Sequence, residues 1–420
     1  MTEKVIAAGL VLPDLARSVA EEHLEELSKL IGSAGGDVVA RILAKRPSPD
    51  PATFIGSGKA EEVKRLAEQH GATLIVFDDD LSPAQVRNLE KVTGVKVIDR
   101  SALILDIFAG RARSREARTQ VELAQLEYML PRLTRQWSHL ERQAGGIGTR
   151  GVGETQLELD RRIIRTRIAR LKEELSHIER TRVTQRKGRS GVFTVALVGY
   201  TNAGKSTLFN RLTRGGAEAV DKLFATLDSK TQRIAYDMPR ETVVVDTVGF
   251  IRKLPHHLVA SFRSTMEEAV AADLVLHVID GLHPQFEEQR TIGEGVLEEL
   301  GVAPESIIEV YNKFDLAESS QHWFPEPRRG NAVAVSALTG RGIERLIEMI
   351  RDRELAGGEV LQLEIPHGES RLAARLHEVA EVYEQAEREE GTTFTAWVPR
   401  EFLYLFEPYA RAHMHISRAV

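Results

Sequence analysis

The fold of this chain follows from one stretch, Thr194-Val-Ala-Leu-Val-Gly199-Tyr-Thr-Asn-Ala-Gly204-Lys205-Ser206. An apolar, β-branched run leads into G-x-x-x-x-G-K-S and then into a helical pattern, which is the strand, loop and helix context of a phosphate-binding loop. Glycines at 199 and 204 let the backbone curl so that successive N–H groups face phosphate oxygens. The helix that starts here adds its own unsatisfied amides. We expect Lys205 to reach the β and γ phosphates and Ser206 to offer its hydroxyl to Mg²⁺.

Three later segments extend the pattern, and each follows an apolar strand-like run: Asp246-Thr-Val-Gly249, Asn312-Lys-Phe-Asp315 and Ser336-Ala-Leu338. Ligands of open parallel sheets bind beyond the carboxyl ends of the strands, so these loops should converge with the phosphate loop on one crevice. The sequence therefore predicts an α/β domain with a doubly wound sheet.

The Asp246 segment has the groups that suit the phosphate end of a nucleotide. Asp246 can hold Mg²⁺ through water, and the amide of Gly249 can contact the γ-phosphate. Together with Lys205 they are the predicted catalytic groups, because phosphoryl transfer depends mainly on positioning and charge.

The other two segments suit a guanine base. The carboxylate of Asp315 matches the N1–H and N2–H donors of guanine, an edge that adenine lacks. Asn312 and Lys313 should brace the base pocket, and the Ser336-Ala337 backbone should meet the guanine oxygen. The four segments in this order predict a guanine-nucleotide switch domain that binds GTP and GDP. Its predicted contacts in these loops are Gly199, Tyr200, Thr201, Asn202, Ala203, Gly204, Lys205, Ser206, Thr207, Asp246, Thr247, Val248, Gly249, Asn312, Lys313, Phe314, Asp315, Ser336, Ala337 and Leu338.

Length and composition are those of an ordinary globular protein. At about 100–200 residues per domain, a chain of 420 residues predicts roughly two to four domains. The chain has no cysteine, which excludes a disulfide framework and thiolate chemistry. We see no signal peptide and no run of the roughly 20 apolar residues that a membrane span needs. We expect a cytoplasmic monomer.

The net charge of −6 conceals a basic segment. Residues 111–190 contain 19 Lys+Arg against 10 Asp+Glu, a net of +9, so the remainder carries −15. A basic segment within an acidic protein predicts a local site for a polyanion.

Residues 1–110 alternate strand and helix signals and predict a small α/β domain. The expected strands are Lys4–Ala8, Val38–Leu43, Thr73–Phe77 and Val95–Ile98, and the expected helices are Leu15–Leu30, Ala60–Glu68 and Pro83–Val92 with Ser82 as N-cap. Ile55-Gly-Ser-Gly-Lys59 resembles a second phosphate loop. It lacks the first glycine, and Ala60 replaces the Mg²⁺-binding hydroxyl, so a glycine turn that opens a helix is the favoured interpretation. A role in contacting RNA or a neighbouring domain is favoured over a second nucleotide site.

Residues 111–190 predict an antiparallel helical hairpin. One apolar stripe runs from Leu123 to Leu140 and is interrupted by Pro131, and a second runs from Leu157 to Ile178. Between them lies a glycine-rich loop, and we call its residues Gly145–Gly153 the tip. Most arginines of the hairpin are interpreted as solvated helix faces, whereas the small residues around Arg150 suit close approach to another backbone.

The chain resembles the HflX family of translation-associated GTPases over nearly its full length. The segments that show this resemblance are Phe54–Lys59, Thr119–Leu126 and above all Gly145-Gly-Ile-Gly-Thr-Arg-Gly-Val-Gly-Glu-Thr-Gln-Leu157. One departure is Val152, where the family usually has proline, and it should leave the tip less rigid.

The resemblance implies a first switch at Leu223-Phe224-Ala225-Thr226-Leu227-Asp228, with nucleotide contacts from Phe224 to Asp228 and with Thr226 as the second Mg²⁺-binding hydroxyl and a catalytic group. It also implies binding to the large ribosomal subunit and its rRNA through the tip and the basic hairpin. Members of the family are implicated in separating the subunits of stalled or idle ribosomes.

Two more domains follow the hairpin: the GTPase domain at 191–353 and a small α+β domain at 354–420. Phe250 and Ile251 stand where many GTPases have a glutamine that orients water, so we expect slow hydrolysis unless ribosomes stimulate it. In the last domain we expect strands at Val360–Ile365, Thr393–Val398 and Phe402–Phe406 around a helix at Ser370–Glu389. We assign no role to His413 and His415.

The amino-acid sequence is consistent with two functions. One is a GTP-gated factor that binds ribosomes and promotes subunit separation, and the other is a GTPase of ribosome assembly or RNA maturation that uses the same basic segment. A metabolic kinase or ligase is disfavoured, because the sequence has no acceptor-site motif.

Overall fold

The computed structural model describes residues 2–133, 152–187, 192–215, 223–224, 228–238, 241–253, 270–320 and 331–414. They fall into two compact units. The first unit contains the described residues within Met1–Arg180, Val220–Asp228 and Phe250–Thr265, and the second those within Thr181–Ala219, Ser229–Gly249 and Met266–Val420. None of the described helices is both long and apolar enough to cross a membrane.

The first unit begins with a parallel sheet in the order β2-β1-β3-β4. Its elements are β1 (Glu3–Val11), α1 (Arg17–Ser33), β2 (Gly36–Lys45), α2 (Ser57–His70), β3 (Leu74–Phe77), α3 (Pro83–Thr93), β4 (Lys96–Asp99) and α4 (Arg100–Arg111). Every expected strand and helix of this domain is confirmed, and so is Ser82 as N-cap, which forms a capping box with Gln85. Helix α4 had not been predicted.

Two features of this first sheet domain bear on the sequence-based interpretation. Gly56 has φ 87° and precedes α2, and Lys59 bonds Glu62 at 2.9 Å, so the glycine turn that opens a helix is confirmed.

Arg100, in the unpredicted α4, is 1% exposed and forms ion pairs with Asp78 and Glu26. A buried arginine of this kind needs paired acidic groups, which only the tertiary structure supplies.

The helical hairpin consists of α5 (Arg115–Met129) and α6 (Val152–Lys187). Helix α5 ends just before Pro131, as expected. Helix α6 begins at Val152, inside the loop that was expected to extend to Gly153. The expected loop and the observed helix therefore overlap by two residues, which is the ordinary variation in where a helix end is assigned. Residues 134–151, which include Trp137, Leu140 and most of the tip, lie outside the described residues.

The GTPase sheet of the second unit has the order β10-β9-β8-β5-β7-β6 and is parallel except for β6. Its elements are β5 (Phe193–Gly199), α7 (Lys205–Thr213), β6 (Lys230–Arg233), β7 (Thr242–Asp246), β8 (Leu274–Asp280), α8 (Phe286–Glu299), β9 (Ile307–Asn312), α9 (Phe314–Ser320), β10 (Ala332–Ala334) and α10 (Ile343–Leu355). Strand β5 is central, and its apolar side chains are buried because helices cover the sheet.

The second unit also contains an antiparallel sheet in the order β12-β13-β11-β14. Its elements are β11 (Gly358–Pro366), α11 (Ser370–Val379), β12 (Glu381–Glu387), β13 (Gly391–Pro399), α12 (Leu403–Phe406) and β14 (Ala410–Met414). Strands at 360–365 and 393–398 are confirmed.

Two predictions for this antiparallel domain were wrong. The helix expected at 370–389 ends at Val379, because residues 381–387 pair with β13 and the sheet outweighs their helical propensity. The strand expected at 402–406 is a helical turn, which buries Phe406 completely in the core of this sheet.

Candidate functional site

The phosphate loop connects β5 to α7. Neighbouring atoms leave no room for a side chain at its two glycines. Gly199 has φ 146°, and a Cβ there would lie 2.1 Å from the carbonyl oxygen of Val278 on β8. Gly204 has φ 95°, and a Cβ there would lie 2.1 Å from Nδ2 of Asn312. Side chains at either position would collide with neighbouring groups, so only glycine allows this loop geometry.

Lys205 lies at the start of α7 with its amine turned into the loop. Nζ donates to the carbonyl of Gly199 at 3.0 Å and to that of Tyr200 at 2.8 Å. The side chain is 7% exposed, and this burial lowers the pKa of Lys205 to about 8, with Asp246 offsetting only part of the effect. A phosphate held here would stabilise the protonated amine.

Two oxygen-bearing side chains meet beside the loop. The hydroxyl of Ser206 donates to Oδ2 of Asp246 at 2.9 Å, and Asp246 is 1% exposed at the end of β7. Hydroxyl and carboxylate oxygens are the ligands that Mg²⁺ prefers, so these residues fit a magnesium site. Thr226, the other expected ligand, lies outside the described residues.

Gly249 approaches the phosphate loop closely. A Cβ on Gly249 would lie 2.7 Å from Nζ of Lys205 and 3.0 Å from Cα of Thr201. Nearby, Thr247 donates its hydroxyl to the carbonyl of Leu197 at 2.6 Å, which fixes the end of β7 against β5. The segment that follows β7 is therefore held against the loop that precedes α7.

The two predicted base-binding segments also meet. Nδ2 of Asn312 donates to the carbonyl of Ala203 at 2.9 Å, and Oδ1 accepts from the amide of Ala337 at 2.9 Å. Oδ1 of Asp315 accepts from the hydroxyl of Ser336 at 2.6 Å. The structure thus brings together the phosphate loop and the segments that begin at 246, 312 and 336.

Sequence reasoning missed two residues of this site. Asp280 pairs with Lys313 at 2.7 Å, and the signal for it was a carboxylate at the end of the apolar strand β8. Arg211 donates to the carbonyls of Ala337 (3.1 Å) and Leu338, and no pattern in the sequence marked it. A cavity of about 620 Å³ lies here, lined by Thr207, Asn210, Arg211, Arg214, Gly215, Tyr236, Ala337 and Leu338.

The described residues of the expected first switch contact the N-terminal part of the chain. The carbonyl of Phe224 accepts a hydrogen bond from Arg111, and its ring meets Phe108 edge-on with centroids 4.7 Å apart. The carboxylate of Asp228 accepts from the amide of Arg113 at 2.9 Å and from the hydroxyl of Ser114. Ala225, Thr226 and Leu227 lie outside the described residues.

Family models cover most of the chain. They are described as GTP-binding GTPase N-terminal (residues 21–109), GTP-binding GTPase Middle Region (111–189) and 50S ribosome-binding GTPase (194–313). Among solved structures, a GTP-binding protein from Sulfolobus solfataricus in complex with GDP is similar at 26% identity, covering 84% of this chain and 98% of that one with a TM-score of 0.44.

Curated relatives match at much higher identity. GTPase HflX of Magnetococcus marinus is 46% identical over 396 residues, which are 93% of this chain and 91% of the relative. GTPase HflX of Escherichia coli is 46% identical over 377 residues, 88% of each chain. With the assembled phosphate loop and base-binding segments, these matches establish that the chain belongs to the HflX family of GTPases.

Proposed function

We propose that this GTPase binds the large ribosomal subunit in its GTP state and promotes separation of the subunits of stalled or idle ribosomes. The observation that supports it best is a basic helical hairpin joined in one chain to a GTPase domain whose family model is described as ribosome-binding. GTP binding would order the switch segments and so change what the hairpin can engage.

At the nucleotide, we assign each residue the role that its chemistry predicts. Lys205 and the amide of Gly249 would hold the terminal phosphates, Ser206 and Thr226 would ligate Mg²⁺, and Asp246 would act on the ion through water. When bound, Mg²⁺ would supply positive charge that stabilises the phosphoryl group during transfer. Asp315 selects guanine, with Asn312 and Lys313 supporting the base pocket.

The hairpin supplies the surface for rRNA. Arg167 forms a two-point ion pair with Glu122 at 2.7 and 2.8 Å, and Lys172 pairs with Glu127 at 2.8 Å, so α5 and α6 are held side by side. Other arginines of α6 face solvent, among them Arg162 and Arg165. Because α6 has 36 residues and thus a length of about 54 Å, its exposed cations can follow an RNA backbone over several phosphates.

Density-gradient sedimentation tests the proposal. Intact ribosomes are incubated with the protein and a non-hydrolysable GTP analogue, with a GDP sample and an Asp315→Asn sample as controls. We expect free subunits to accumulate only with the GTP analogue and the unaltered protein. Binding confined to precursor particles, without loss of intact ribosomes, would support a role in ribosome assembly instead.

A further inference from the structure

The loop that begins at Ser336 uses most of its backbone amides in hydrogen bonds within the GTPase domain. Ser336 donates to a carbonyl further along the loop at 2.9 Å, and Ala337 donates to Oδ1 of Asn312 at 2.9 Å. The amide of Thr339 donates to the hydroxyl of Ser336 at 3.1 Å. Within the described part of the chain, the amide of Leu338 has no acceptor, and Leu338 is 70% exposed. Among residues 336–339, this amide is therefore the one that remains available to a ligand.

Arg211 fixes the direction of that amide from the neighbouring helix α7. Its Nε donates to the carbonyl of Ala337 at 3.1 Å, and a second nitrogen of the guanidinium donates to the carbonyl of Leu338. The carbonyl of Ala337 and the N–H of Leu338 belong to one trans peptide unit. Such a unit is planar, so the two groups point in opposite directions. Because Arg211 holds the carbonyl towards itself, the N–H is directed away from it.

The same loop lies against the carboxylate that is expected to bind guanine. The hydroxyl of Ser336 donates to Oδ1 of Asp315 at 2.6 Å. Guanine carries its 6-oxo oxygen next to N1, so a base whose N1–H and N2–H face Asp315 presents this oxygen beside the loop. The oxygen is an acceptor, whereas adenine has a donor, its 6-amino group, at the same position. A backbone N–H placed here would therefore favour guanine.

We propose that Arg211 is a positioning residue for base recognition: it holds the peptide unit between Ala337 and Leu338 so that the amide of Leu338 donates to the 6-oxo oxygen of guanine. The planar guanidinium suits this task because it donates to two carbonyls at once, whereas a lysine donates from a single nitrogen. This inference rests on the proposed assignment of the base to Asp315 and does not depend on an action on ribosomes.

The test compares the affinities of full-length Arg211→Met for GDP and for 6-thio-GDP, in which sulfur replaces the 6-oxo oxygen and both donors to Asp315 are kept. Sulfur is a weak acceptor, so the unaltered protein should prefer GDP. In the variant, the affinity for GDP should fall roughly two- to tenfold, as expected for one hydrogen bond, and the affinity for 6-thio-GDP should change little. Arg211→Lys donates from one nitrogen only, so its preference for GDP should fall as well.

Two controls separate base recognition from a general loosening of the site. Inosine diphosphate keeps the 6-oxo group but lacks the 2-amino group, so the ratio of its Kd to that of GDP should be the same in Arg211→Met and in the unaltered protein. Arg214→Met is the matched variant, because Arg214 lines the same cavity but lies over the ring of Tyr236. Its preference for GDP over 6-thio-GDP should equal that of the unaltered protein.

An unchanged preference for GDP over 6-thio-GDP in both Arg211 variants would overturn the proposal. An equal loss of affinity for the two nucleotides would also overturn it, because Arg211 would then only stabilise the loop. If the unaltered protein bound inosine diphosphate as tightly as GDP, the assignment of guanine to Asp315 would fail instead.

Discussion

The side-chain amide of Asn312 donates to the backbone carbonyl of Ala203 at 2.9 Å, so the base-binding segment supports the phosphate loop directly. The amide oxygen of Asn312 accepts from Ala337, and the residue is 3% exposed. One side chain thus links three loops that come from distant parts of the sequence. Buried hydrogen bonds of this kind are costly to leave unmade.

We expect Asn312→Asp to weaken binding of GDP and GTP alike by about 2 kcal/mol, because a carboxylate cannot donate to the carbonyl of Ala203. Isothermal titration with both nucleotides measures the effect. Asn88→Asp is the matched control, since Asn88 donates to the carbonyl of Ala52 at 2.9 Å on an exposed part of the first unit. Equal affinities in the two variants would contradict the bracing role.

Asp315→Asn should weaken GTP binding and favour xanthosine triphosphate, whose edge is complementary to an amide. Losing a charge-assisted contact with two donors should cost on the order of 2–4 kcal/mol. Competition between the two triphosphates for the unaltered and variant proteins gives the preference directly. An undiminished preference for GTP in the variant would show that Asp315 does not recognise the base.

Nucleotide affinity should depend on pH through Lys205, whose pKa is lowered to about 8 by burial. Below about pH 7 the amine is already protonated, so affinity should be constant. Above about pH 8 binding must take up a proton, and affinity should fall by up to about tenfold per pH unit. Titration at pH 8.5 in buffers of different ionisation enthalpy measures the proton uptake. Guanosine, which has no phosphate, is the control ligand, and equal uptake with guanosine would exclude Lys205.

Hydrolysis by the protein alone should be slow, on the order of 10⁻⁴ to 10⁻² s⁻¹. Phe250 follows Gly249, is 4% exposed and has no polar group to orient water. Large ribosomal subunits should accelerate turnover by ordering the switch segments or by supplying a group. Single-turnover hydrolysis with and without subunits tests this, and small subunits serve as the control. Equal rates in all three samples would refute the expectation.

Replacing the tip, residues Gly145–Gly153, with a short neutral linker should abolish subunit separation while leaving the affinity for free GTP unchanged. Binding to ribosomes should persist in part through the arginines of α6 and should weaken steeply with added salt. Sedimentation at matched occupancy provides the measurement, and free GTP affinity is the internal control. Full separation by this variant would mean that the tip only connects the two helices.

Local patterns allowed the first sheet and the buried strands of the GTPase sheet to be predicted, since each of these strands is an apolar run and each loop is marked by glycines or polar residues. The exposed strand β6 had not been predicted, because its side chains are polar. The clearest failure is 381–387, a glutamate-rich run that lies in β12. These residues form a strand because they pair with β13, and a helical periodicity within the run itself carries no information about that pairing. Helix α4 was missed for a related reason, because its nearly continuous burial removes the amphipathic pattern.

The sequence by itself determined the family, the phosphate loop and the order of the nucleotide-binding segments, because those depend on residue type and spacing along a strand, loop and helix. Only the tertiary structure decided that Asn312 supports the phosphate loop and that Arg211 and Asp280 join the site. These depend on contacts between residues far apart in the chain. Charge and hydrogen-bonding capacity can be read from a sequence, but a partner is assigned only when the fold brings the two groups within reach.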